Sequence, residues 1–191
     1  RRQIMENQSV GVGTDIQGGD QVTILAIDPG NTQSAYVLFD ADTREICEHD
    51  KIDNPKMFDL IDRNNAEMPA DFCVIEKVEG FGMTVGAEIL ETVFWSGRFA
   101  HHWLMQRDEE SLHRLPRKHV KKYLLGKTNS KGADAKIRQA LCYMFGPTEE
   151  LAFGTRLKRG PLTGIVRDRL AALAVAVAFD GLRKQSRLVL F

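Results

Sequence analysis

The sequence predicts an α/β fold: one mixed five-stranded sheet flanked by helices, in a single domain. Three observations carry that expectation. Val22 to Ile27 is an uncharged run rich in β-branched residues, as in a strand covered on both faces. Two further strand patterns follow it closely, near 34–39 and 45–52, joined as a hairpin by the acidic loop at Asp40-Ala41-Asp42. From there helical and strand patterns alternate, an order that gives a sheet with parallel members.

Along the chain, Pro55 opens a helix whose apolar stripe is Met57, Phe58, Leu60 and Ile61. DFCVIEKV forms a fourth strand at about 71–78, able to lie parallel beside a central first strand. Met83 to Arg107 is a long helical pattern, and SLHRLP is a short fifth strand. Helices are expected at about 117–125 and 133–145, a Gly-rich basic loop over 146–164, and a last helix over about 165–184. Residues 1–20 lack periodicity and read as a flexible tail, leaving 21–191 as the folded domain.

The composition, 43% hydrophobic and 27% charged, is that of a globular chain large enough for one full core. No apolar run reaches the roughly 18 residues of a membrane span, and no secretory signal is apparent, so no membrane partner is expected. Cys47, Cys73 and Cys142 are odd in number and widely spaced, which fits buried thiols in a reducing, cytoplasmic setting better than a disulfide frame or a zinc site. His101 and His102 are adjacent and point about 100° apart on a helix, so they make no metal pair.

A net charge of zero conceals a division. Residues up to Gln106 carry 8 Lys+Arg and 18 Asp+Glu, or −10; the remainder carries 18 and 8, or +10. Between Arg114 and Arg138 nine cations face one acid, Asp134. A solvated helical face is the plain reading of such a run. Its one-sidedness favours a footprint for a phosphate backbone, through Arg117, Lys118, Lys121, Lys122, Lys127 and Lys131.

Three acids stand out against the apolar segments. Asp28 ends the first strand, and Pro29-Gly30-Asn31 turns the chain immediately afterwards. A carboxylate inside such a strand costs several kcal/mol unless it is exposed or paired, so Asp28 is either a turn-former or a ligand. Glu76 ends the fourth strand in the same way, which brings two acids to one sheet edge, where open α/β sheets bind ligands. In the last helix Val166, Leu170, Leu173 and Val177 follow the core spacing, and Ala171, Ala172 and Ala174 permit close approach to the sheet. Asp168 then lies near that edge, one turn from the helix start; otherwise it simply complements the helix dipole. Three carboxylates without His or Cys suit Mg²⁺ or Mn²⁺, and beside a basic surface they suit two-metal phosphodiester hydrolysis.

Four blocks in this order, IDPG, VIEKV, RLPRKHVKKYLLGKTNSKGADAK and DRLAALAVAVA, resemble the RuvC-type Holliday junction resolvases of the RNase H-like fold, over roughly residues 22–184. The resemblance implies a homodimer that nicks four-way or other branched DNA with a divalent metal. By motif, Asp28, Glu76 and Asp168 resemble the metal-binding acids, and Lys136 a catalytic lysine that contacts phosphate or supports the transition state. Phe81 lies near where cellular members place an aromatic that engages junction bases; packing in a core or loop is its other reading. Cellular members carry a second acid three residues after the helix acid, where this chain has Ala171, so the sequence looks closer to divergent bacteriophage-type members in a bacterial or phage-infected cell. Glu79 is a possible substitute ligand.

Two rivals share parts of this pattern. DPGNT resembles the phosphate loop of sugar-kinase and actin-type ATPases, but those need two such domains and a second loop. GKT at Gly126–Thr128 lacks the earlier P-loop glycine, whose place Lys121 takes. A branched-DNA-binding protein with a degraded site is the non-enzymatic alternative. The helix over 83–107, with Ile89, Val93 and Phe94, is the expected dimer surface.

Overall fold

Alternation of burial along the strands builds a sheet with two working faces. The computed structural model describes residues 21–67, 69–79 and 85–188. The strands are β1 (Thr23–Asp28), β2 (Gln33–Asp40), β3 (Ile46–Asp53), β4 (Phe72–Lys77) and β5 (Leu112–Pro116), and their order across the sheet is β3-β2-β1-β4-β5. β1, β2 and β3 run as an antiparallel meander, whereas β4 and β5 lie parallel to β1. The central position of β1 explains its unbroken apolar run, since Ile24 to Ile27 are all fully enclosed.

One face carries Leu25, Ile27, Tyr36, Leu38, Cys73 and Ile75. Helices α1 (Lys56–Glu67) and α2 (Ala87–Leu104) cover it with Met57, Leu60, Ile61, Phe99 and Trp103. The other face carries Ile24, Ala26, Ala35, Val37 and Val74 and packs against α6 (Asp168–Leu188). Nearly every residue of α6 from Leu170 to Phe179 is buried, because α3 (Arg117–Leu125) and α4 (Ala133–Phe145) close over its outer side. The alanines at 172, 174, 176 and 178 let it sit tightly in that space. Among the described residues no helix is long and apolar enough to cross a membrane.

The expected mixed sheet and single domain are present, with four departures. The segment 146–164 is not all loop: it holds a short helix, α5 (Glu149–Phe153), capped by the Thr148 side chain, and a bridge between Gly154 and Arg159. The last helix begins at Asp168 and not near 165, because Arg167 takes a positive φ of 50° that breaks the preceding turn. Asp168 is therefore the first helical residue, and Val166 is half exposed instead of joining the core stripe. The long helix spans 87–104, shorter than 83–107. Cys47 is exposed on edge strand β3, while Cys73 and Cys142 are buried as expected. The 1–20 tail and Phe81 lie outside the described residues.

Candidate active site at the sheet edge

Strand periodicity places the acids before any side-chain contact does. Asp28 follows Ala26 by two residues and Glu76 follows Val74 by two, so both point to the face that α6 covers. Asp168 opens α6 above that same edge. These three acids, with Arg117, Asp134, Arg138, Arg167 and Ala171, line a cleft of about 650 Å³.

The turn after Asp28 is built with care. Gly30 N–H donates to Ser34 Oγ at 3.1 Å, the Ser34 hydroxyl donates to Asn54 Oδ1 at 2.6 Å, and Asn54 Nδ2 donates to the Gly30 carbonyl at 3.0 Å. Asn54 N–H also donates to the Thr32 carbonyl. A Cβ at Gly30 would lie 2.2 Å from the Gln33 carbonyl oxygen, so no other residue fits the turn without moving the backbone. Ser34 and Asn54 are both buried, and neither was apparent in the sequence as part of the site; a polar residue just before a proline reads only as a turn.

Each outer acid has a cation partner. Arg117 donates to Glu76 at 2.9 Å and to Asp134 at 2.6 Å, so this residue of the basic run lies inside the acidic cluster. Lys51, which the sequence pattern likewise does not single out, donates from Nζ to Asp168 Oδ2 at 2.6 Å. Only the register of β3 reveals it. Asp28 has no such partner among the described residues. Burial, then the nearby charges of Glu76 and Asp168, push its carboxyl up to about 7 against the smaller opposing pull of Arg117 and Lys51. Burial also raises Glu76, and Arg117 offsets part of that rise.

The remaining expected residues surround the cleft. Lys118 pairs with Glu79 at 3.1 Å, which occupies that acid as a cation's partner. Lys121 is close enough to Glu76 to favour its charged form. Lys122 lies on the exposed side of α3, beside a hollow shared with His119 and Tyr123. Lys127 and Lys131 are exposed in the loop between α3 and α4. Lys136, on the first turn of α4, is exposed and donates to Ser130 at 3.1 Å; it does not line the cleft.

The donor set suits a hard divalent cation, being oxygen-only and carrying a buried carboxyl that resists ionisation without one. As the side chains stand, no three His, Cys, Asp or Glu groups converge on one point among the described residues. The physical reason is visible: Glu76 is turned to Arg117 and Asp168 to Lys51.

No family model matches the sequence, and no curated protein matches it. Solved structures do match in shape. Thermus thermophilus RuvC aligns at a TM-score of 0.58 and 11% identity, over 86% of this chain and 97% of RuvC. The chain has the RuvC-type fold. RuvC from the same organism in complex with Holliday junction substrate gives a TM-score of 0.56 at 12% identity, covering 82% of this chain and 92% of that one. The yeast mitochondrial Holliday junction resolvase gives 0.52 at 13%, covering 84% and 78%. Nearly the whole of RuvC is spanned, so the likeness extends through the helical layer as well as the sheet.

Proposed function

We propose that this chain is a metal-dependent, structure-selective endonuclease that nicks Holliday junctions or other branched DNA. The observation that carries the reading is the meeting of Asp28, Glu76 and Asp168 at one end of a RuvC-type sheet, with the cationic α3–α4 region at its rim. Asp28, Glu76 and Asp168 would hold Mg²⁺ or Mn²⁺, which when bound supplies an acidified water and neutralises charge on the phosphate. The chain's own groups supply the rest. The Gly30–Ser34–Asn54 network keeps the space before Asp28 open to a phosphate. Lys118, Lys121, Lys122, Lys127, Lys131 and Lys136 offer a path for the flanking backbone.

A homodimer is part of this proposal. Ile89, Leu90, Val93 and Phe94 on α2, with Val85 just before it, are 41–60% exposed and form an apolar strip that no other described residue covers. A four-way junction offers two equivalent strands, and two copies of one cleft match that symmetry. The free thiols keep the cytoplasm of a bacterial or phage-infected cell as the proposed location.

The test is incubation of a labelled synthetic four-way junction with and without Mg²⁺ or Mn²⁺. Metal-dependent nicking that Asp28→Asn abolishes, with junction binding in EDTA retained, is the expected outcome. Binding without nicking under every condition would instead establish the branched-DNA-binding reading, which the existing pairing of Glu76 and Asp168 with cations favours.

A further inference from the structure

Lys51 is built into the site by backbone pairing, not by chance proximity. It stands directly opposite Ala35 in the β2–β3 register, and Ala35 stands directly opposite Asp28 in the β1–β2 register. The three therefore form one cross-strand row on the face beneath α6. Ala35 is fully buried and presents only a methyl group, so nothing larger separates the lysine from the acids. The row ends in the 2.6 Å contact between Lys51 Nζ and Asp168.

The charges around the cleft are already largely offset. Asp28, Glu76, Asp134 and Asp168 face Lys51, Arg117 and Arg167, while Arg138 is drawn off by Glu149, so four acids meet three cations and one negative charge is left over. Position 171, at the cleft wall, is alanine and adds no oxygen donor. Two divalent cations about 4 Å apart would bring four positive charges to a site that already holds two side-chain cations on its acids, the Lys51 ammonium and the Arg117 guanidinium. Such a cluster needs more carboxylate than is present.

We infer that the site takes one divalent cation, and that Lys51 supplies the second positive charge as a fixed side chain at Asp168. Lys51 is then a positioning residue, acting through the Asp168 carboxylate. The inference replaces the two-metal expectation. It rests on the nuclease reading for the role of the metal, although the number of metals is measurable without any DNA.

The experiment is Mn²⁺ titration of the full chain, with free Mn²⁺ followed by electron paramagnetic resonance, for the wild type, Lys51→Met and Lys51→Arg. Lys51 is 42% exposed, so both variants are expected to fold, which thermal melts verify. The wild type should bind one Mn²⁺. Lys51→Met should bind it at least fivefold tighter or admit a second ion, since the competing cation is gone, and Lys51→Arg should match the wild type. In parallel, the nicking rate should rise with Mg²⁺ concentration with a Hill slope near one. Two Mn²⁺ in the wild type, a slope near two, or superimposable isotherms for wild type and Lys51→Met would overturn the inference and leave the nuclease reading standing. No Mn²⁺ binding by any of the three would overturn both.

Discussion

At the scale of single residues, Asp28 concentrates the tension of this fold. Its carboxyl sits at about 7 in the folded chain against an ordinary 3.8, so between those values the folded state holds a proton that the unfolded state has released. Stability without metal therefore falls as pH rises from about 4 to about 7 and levels off above. Asp28→Asn removes this penalty. In EDTA the variant should melt close to the wild type at pH 4 and above it at pH 8, by an amount on the order of 3 kcal/mol. Equal melting temperatures at both pH values would show that the carboxyl is not strained. Asn54 makes the opposite contribution. It is buried and joins Ser34, Gly30 and Thr32, so Asn54→Ala takes the acceptor from the buried Ser34 hydroxyl proton and the side-chain donor from the Gly30 carbonyl. A loss of about 1–3 kcal/mol is expected, read as a lower thermal midpoint, together with slower nicking.

At the scale of elements, the N-terminal end of α3 serves two purposes. Pro116 closes β5 and Arg117 starts the helix, which sends one cation inward to Glu76 while Lys118 and Lys122 remain exposed and Lys121, half-buried one turn on from Arg117, stands near Glu76. Replacing Lys118, Lys121 and Lys122 together by Ala should weaken junction binding and lower the slope of log Kd against log salt by up to about one per lysine. An unchanged slope would move the footprint elsewhere. α2 differs in kind, since its inner side holds Phe99 and Trp103 in the core and its outer side leaves Phe94 55% exposed. Phe94→Glu puts a charge on that strip without touching the core. Sedimentation should then give a monomer where the wild type gives a dimer, with unchanged melting of the monomeric fold. A wild type that is itself monomeric would remove the α2 interface from the proposal.

For the whole molecule, the relevant property is the division of labour across the sheet. One layer, α1 and α2, is packed by large side chains such as Met57, Phe99 and Trp103. The other layer brings a nearly all-buried, alanine-rich α6 down onto β1 and β2, so that its first residue meets the strand-end acids. This coupling makes metal binding a reporter of the entire fold. Saturating Mn²⁺ should raise the melting temperature of the wild type and leave that of Asp28→Asn unchanged, because only a ligand that prefers the folded state stabilises it.

Much of this was legible in the sequence because it depends on local pattern. The strands, their central apolar run, the helix stripes and the matching acids at 28 and 76 follow from period-two alternation and turn chemistry within a few residues. The start of α6 was not legible, since it depends on the positive φ of Arg167, nor was α5, which is too short to show a period. Only the tertiary structure decided what surrounds the acids. Lys51 reaches Asp168 across 117 residues of chain through two strand registers, and Arg117 turns inward because the parallel pairing of β4 and β5 sets it beside Glu76. A sequence specifies which residues carry charge; the distance between charges far apart in the chain is set by how sheet and helix pack, and here that distance determines how many cations the site can still accept.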